Sequence, residues 1–118
     1  MALRASAKNA GDKIDLRVVL GENPDQCGIA NAATLTAFVE TFMVHDKAAL
    51  AAVRDALITE MGAEAMVDTA AVTANFQRMT RIADATGIPL DEQMHQMTQD
   101  IQQKLGLKRF PSARNTLQ

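Results

Sequence analysis

Four stretches of this chain repeat apolar residues at helical spacing, and each ends in a punctuating residue. Behind Asn31, a candidate N-cap, Leu35, Phe38, Val39, Phe42 and Met43 follow the i, i+3, i+4, i+7, i+8 rule and predict one apolar helix face, with Thr34, Thr36, Glu40 and Thr41 opposite. Asp46 predicts the cap of a second helix, with Leu50, Val53, Leu57, Ile58 and Met61 on its stripe and Gly62 past its end. The third and longest stretch starts near Ala63 and runs to a Gly87–Ile88–Pro89 stop, with Val72, Phe76, Met79, Ala83 and Thr86 close to one face. Asp91 predicts the cap of a fourth, lined by Met94, Met97, Ile101 and Leu105 before Gly106. Short connections between helices argue for antiparallel neighbours in an all-α bundle. On this pattern Phe76 belongs to the buried face, so Phe76→Ala would cost about 3–5 kcal/mol.

The ends carry weaker patterns. Lys13–Ile14–Asp15–Leu16–Arg17–Val18–Val19–Leu20 alternates like a strand. A lone strand would leave its backbone groups unpaired, and no other stretch reads as its partner. A short helix, or an arm pairing with another subunit, is the expectation, with Asn23–Pro24–Asp25 as the turn that follows. Beyond Gly106 there is no periodicity, which predicts an extended tail. The organisation expected is one domain: residues 1–30 as arm or short helix, 31–106 as helical core and 107–118 as tail.

Composition narrows the class. A chain of 118 residues fits one domain that buries roughly two thirds of its unfolded surface. With 47% hydrophobic and 22% charged residues it is an ordinary globular sequence. Seven Met, no Trp and no Tyr imply a core of small residues and Met. No apolar run approaches a membrane span, and the start lacks the apolar stretch of a secretion signal. The single cysteine excludes an intrachain disulfide, so a cytoplasmic protein is expected. A net charge of −2 points to no nucleic-acid or membrane partner. The charges are segregated, however. Acids dominate from Glu22 to Asp68, whereas after Asp100 only Lys104, Lys108, Arg109 and Arg114 occur. The basic tail is expected in solvent or on an acidic neighbour.

Candidate chemistry is sparse. Cys27 and His45 are the catalytic candidates, and neither has the company that the chemistry needs. Cys27–Gly28–Ile29–Ala30 begins like a Cys-x-x-Cys pair, but Ala30 stands in place of the resolving sulfur and Thr34 where a His would help. A lone thiol forming a sulfenic acid would need an external reductant. His45–Asp46 reads as a helix cap, because neighbours at a helix entry point apart. Glu92 and His95 give one Glu-x-x-His, where di-iron bundles use two plus further Glu, so no metal is expected. There is no phosphate loop or nucleophile elbow, and no cofactor is implied. On the long helix Arg81 and Asp84 lie one turn apart and can pair, while Asp68 and Asn75 border the apolar face as an interface or polar pocket.

The long helix, from Met66 through Asn75–Phe76–Gln77–Arg78–Met79–Thr80–Arg81–Ile82–Ala83–Asp84–Ala85–Thr86–Gly87 to Pro89, resembles the C-terminal helix of the carboxymuconolactone decarboxylase and alkylhydroperoxidase-D-like proteins. That family often carries Phe–Asn–x–x–Asn–Arg–Leu–Ala–(Asp/Asn)–Ala–Leu–Gly there. Leu35–Thr36–Ala37–Phe38–Val39–Glu40 with His45–Asp46–Lys47–Ala48–Ala49, and Val53–Arg54–Asp55–Ala56–Leu57 through Met61–Gly62–Ala63–Glu64, resemble its preceding helices, in the family's order. Gln77 and Thr80 stand where the family tends to place Asn. The Cys-x-x-Cys, Glu and His of active members have no counterpart in this chain.

The resemblance implies an alkylhydroperoxidase-D-like bundle and an oligomer, a dimer first, joined through the long helix around Phe76, Met79, Arg81 and Asp84. The surplus of apolar stripe implies the same association independently. The function expected is a binding or scaffold module without the redox activity. The alternatives are a one-cysteine peroxidase or thiol-disulfide enzyme using Cys27, and a decarboxylase-like enzyme with His45, Glu40 or Asp68 as acid–base groups.

Overall fold

Caps and glycines place the helices where the apolar pattern puts them. In the computed structural model, which describes residue 11 and residues 13–116, the long elements are α1 (Ala32–Val44), α2 (Lys47–Met61), α3 (Ala63–Thr86) and α4 (Glu92–Lys104). Among the described residues, a short α5 (Ala113–Thr116) and 3₁₀ turns at Leu16–Leu20, Pro24–Gln26 and Leu107–Arg109 are the remaining elements. The described residues are 76% helical with no strand, so the fold is all-α. The start of the expected arm, residue 12 and the last two residues of the expected tail lie outside the described residues.

The local chemistry explains the boundaries. Asp46 accepts the Ala48 and Ala49 N–H groups, each at 3.0 Å, and Asp91 accepts that of Met94 at 2.8 Å, which satisfies donors that a helix start leaves orphaned. Gly62 takes φ 94°, closes α2 through its N–H on the Ile58 carbonyl (2.9 Å) and accepts the Met66 N–H as α3 begins. Gly87, at φ 64°, ends α3 while the Ile88 N–H reaches back to the Ala83 carbonyl (3.1 Å). Asn31 is a correction. It occupies the cap position with φ 54° and makes no side-chain cap bond, so its use is tolerance of the left-handed region.

Helix α2 packs between α1 and α3, and Leu57 at its middle loses all exposure to water. Phe38 of α1 is buried and stacks on Phe42 with ring centroids 6.4 Å apart. Thr34 donates to Glu60, pinning the start of α1 to the end of α2. A second, smaller core forms where Val18, Cys27 and Ala32 meet with Ile29 against them. Ile101 and Leu105 are the buried apolar residues of the α4 end, and Lys104 ties that end to Asp15 at 3.3 Å.

The face of α3 expected to be buried is largely in water. Val72, Phe76 and Met79 are 56%, 59% and 53% exposed, while the buried residue is Thr73, with Met66, Thr69, Ala70 and Gln77 half-buried around it. Thr69 and Thr73 return their hydroxyls to the Ala65 and Thr69 carbonyls, both at 2.7 Å, so these polar side chains pack at little desolvation cost. The small residues along that side let the backbone of α3 approach α2. The expected cost of Phe76→Ala through a buried core therefore does not apply within one chain.

Of the two ends, only the stretch after Gly106 departs from the expectation. Lys13–Leu20 is no strand; Leu16–Leu20 forms a 3₁₀ turn that Asp15 caps by accepting the Arg17 N–H at 3.1 Å. The stretch after Gly106 is not extended either. It folds through Leu107–Arg109 and α5, whose short turns carry no hydrophobic period for sequence to display. Asp15 gathers the charge here: Arg17 Nε reaches it at 2.9 Å and Lys104 also pairs with it. The Arg17 hydrogen bonds hold the Asp15 carboxyl well below the usual carboxylate range, and Asp15 raises Arg17 in turn. A carboxylate whose folded pKa is depressed contributes stability above its unfolded value of about 3.9, and this is lost as pH falls toward the folded value. Asp15→Asn should therefore lower the melting temperature near neutral pH, by an amount that shrinks with added salt. Melts repeated at falling pH should show the gap between variant and parent narrowing from about pH 4 downward, toward the folded value of the carboxyl. A constant gap across pH and salt would show that Asp15 acts by cap geometry alone.

Candidate functional site

The Cys27 loop is built by local backbone constraints. Pro24 opens the 3₁₀ turn Pro24–Gln26, which suits its fixed φ, and Asn23 before it takes φ 48°. Cys27 closes the turn, and its S–H donates to the Pro24 carbonyl at 3.1 Å. Gly28, at φ 83°, lies so close to the preceding strap that a Cβ would run into the Lys13 carbonyl. The Asp15 N–H donates to the Cys27 carbonyl at 2.9 Å and completes the enclosure. Only 1% of Cys27 is exposed, and its neighbours are Val18, Ala32 and Ile29. Such a thiol is a small hydrophobe in a packed knot, not an accessible nucleophile.

His45 stands at the other end of α1. Thirteen residues separate the two ends, roughly 20 Å at 1.5 Å per residue, so Cys27 and His45 do not share a site. The His45 backbone has φ 60° and its Nδ1 lies 3.0 Å from the Met43 carbonyl, as befits an exposed C-cap. The acid–base groups do not converge either. Glu40 borders an apolar groove of about 290 Å³ between the Val18–Val19 turn and α1, whereas Asp68 lines a shallow depression with Ala63, Glu64 and Val67.

On α3 the remaining candidates all face solvent. Asn75 Oδ1 accepts from Arg78 at 3.0 Å, and Arg81 Nε turns back to Gln77 Oε1 at 3.3 Å instead of forward to Asp84. Asp68, Asn75, Phe76, Met79, Arg81 and Asp84 are thus all exposed and do not converge on one pocket. Beside it, Val39 and Met43 of α1 and Val72, Phe76 and Thr80 of α3 line a groove of about 290 Å³, bridged by Gln77 Nε2 at 2.6 Å from Met43 Sδ. The apolar face of α3 is therefore continuous with that of α1.

Glu92 accepts from Gln96 at 2.7 Å, and His95 lines the largest cavity among those described, about 650 Å³ between α4 and the Leu107–Arg109 turn. That cavity was not anticipated. Its only sequence signal is the spacing of His95, Gln99, Gln102 and Gln103, which reads as a plain polar face. Among the described residues no group of three or more His, Cys, Asp and Glu is placed to hold a metal ion. No helix among them is long and apolar enough to cross a membrane. Comparison with protein-family models, with curated proteins and with solved structures finds no match.

The burial of Cys27 generates a direct expectation. In the folded chain the thiol should resist Ellman's reagent and react only as the protein opens, and hydroperoxide should not be consumed with a thiol reductant. Rapid stoichiometric labelling, together with peroxide turnover lost in Cys27→Ser, would establish a working sulfur and overturn the structural role.

Proposed function

We propose that this chain is a self-associating helical module, arranged like the alkylhydroperoxidase-D-like proteins but without their redox chemistry, that serves as a binding or scaffold unit. The observation that carries this reading is the outward face of α3. Val72, Phe76, Met79 and Ile82 are each more than half exposed, and Val39 and Met43 extend the patch across the groove. These six side chains leave on the order of 600 Å² of mainly apolar surface in water, at the upper end of what a monomer tolerates. Each partner in a standard interface contributes about 800 Å².

The apolar stripe on α3 favours a second copy as the occupant, because the same face on another chain matches it in length and chemistry. Glu64 and Asp68 flank the stripe in the first half of the helix, and Arg78 flanks it in the second. Two α3 helices packed antiparallel about a two-fold axis near Phe76 and Gln77 would set the Val72–Ile82 stripes of the two copies against each other. The pairing is self-complementary, as an isologous dimer requires. Opposed helix dipoles add to it. The absent Cys-x-x-Cys and the enclosed Cys27 support the loss of thiol chemistry in the same reading.

Sedimentation equilibrium at micromolar concentration tests the association. The parent chain should run at about twice its 12.7 kDa mass. Phe76→Asp should give a monomer of unchanged helicity, since the residue lies outside the intrachain core. A clean 12.7 kDa parent species would refute the proposal.

A further inference from the structure

The cavity between α4 and the turn after it has a composition unlike the rest of the surface. His95, Gln99, Gln102 and Gln103 recur at i, i+4, i+7 and i+8, so one face of α4 supplies an imidazole and three carboxamides. The opposite wall is Lys108 and Arg109, delivered by the reversal at Gly106 (φ 60°). No acidic side chain lines it among the described residues. The volume of about 650 Å³ lies within the usual range of small-molecule sites.

Cations after a helix end commonly answer the last carbonyls. Here backbone groups answer two of them, because the Leu105 N–H takes the Ile101 carbonyl (2.9 Å) and the Gly106 N–H takes that of Gln103 (3.1 Å). Lys104 is turned away to Asp15. Arg109 lies beside Gly106, with its guanidinium carbon 5.1 Å from the Phe110 ring centroid, which holds it by a cation–π contact and leaves its edge for a ligand. Neither Lys108 nor Arg109 meets a carboxylate among the described residues.

Gln102 fixes a further requirement. It is 5% exposed, and its amide orientation follows from its neighbours. Thr98 gives its hydroxyl hydrogen to the Met94 carbonyl (2.6 Å), so it can only accept from Gln102, at 2.8 Å. The second Gln102 hydrogen points to the His95 carbonyl at 3.4 Å. Both hydrogens of Nε2 are committed, and no buried side-chain N or O among the described residues is left without a partner, so Oε1 is not an orphan sealed in the core. An amide oxygen at the wall of a basic cavity is a place for a ligand's O–H or N–H.

The geometry points to a binding site for a small organic acid that carries a hydroxyl or amino group beside an apolar body. Lys108 and Arg109 hold the acid group, Gln102 Oε1 accepts the donor, and the methylene stems of Gln99 and Gln103 cover the body. The site is separate from the α3 face and stands whether or not the chain dimerises.

Mandelate, phenylacetate and mandelamide serve as probes in a ¹⁵N–¹H shift titration of the full chain. Mandelate has the acid, the hydroxyl and the ring, whereas phenylacetate lacks the hydroxyl and mandelamide lacks the charge. Mandelate should shift amides at Gln99, Gln102 and Lys108 and bind at least tenfold tighter than mandelamide, with phenylacetate between. The exposed pair Lys108→Gln and Arg109→Gln, which leaves the buried residues alone, should remove the preference for the charged probe. Equal binding of all three probes, binding unchanged in the double variant, or no shifts at millimolar mandelate would overturn the site.

Discussion

The structure depends on how little of this chain can hide its apolar surface inside one copy. Leu57 of α2 is the large side chain that loses all contact with water, and α2 is the element against which both α1 and α3 lean. The helices touch α2 through narrow seams of small and threonine side chains on the α3 side. A seam of that kind lets backbones approach closely but hides few methylene groups. The larger residues, Val72, Phe76, Met79 and Ile82, are consequently left outside. The burial that stabilises a domain scales at about 25 cal/mol per Å² of apolar area, so leaving this stripe wet forgoes several kcal/mol. Marginal domains have only about 5–15 kcal/mol in total.

Much of the fold was legible because the signals are local. Asp46, Asp91, Gly62 and Gly87 act within one turn of themselves, and each sits where its cap or stop predicts. The choice of buried face on α3 was not legible. Apolar count favoured Val72 and Phe76, whereas packing chose Thr69 and Thr73, whose hydroxyls are satisfied within the helix. That choice is decided by what α2 presents across the seam, and no single-helix pattern contains it. The turns after Gly106 escaped for a similar reason: three- and four-residue elements are too short to show a period.

The candidate site was legible in its absences more than in its contents. The second cysteine of a redox pair is missing from the sequence, and the loop adds what sequence could not show, a thiol sealed under the Lys13–Asp15 strap and donating to Pro24. His45 and Cys27 were separable only once α1 lay between them. The polar face of α4 resembled an ordinary solvated helix until the Leu107–Arg109 turn folded back and set two cations against it. Fold and chemistry here are carried by different ends of the chain. The helices from α1 to α3 make the scaffold and its apolar face, and the α4 end makes the polar cavity.

A second copy completing the α3 face, as proposed, would link folding to association by mass action. Melting the chain at total concentrations from about 1 to 100 µM reads that linkage directly. The melting temperature should climb steadily with concentration in the parent and stay flat in Phe76→Asp. A parent melting temperature independent of concentration over that range, in a reversible transition, would contradict it.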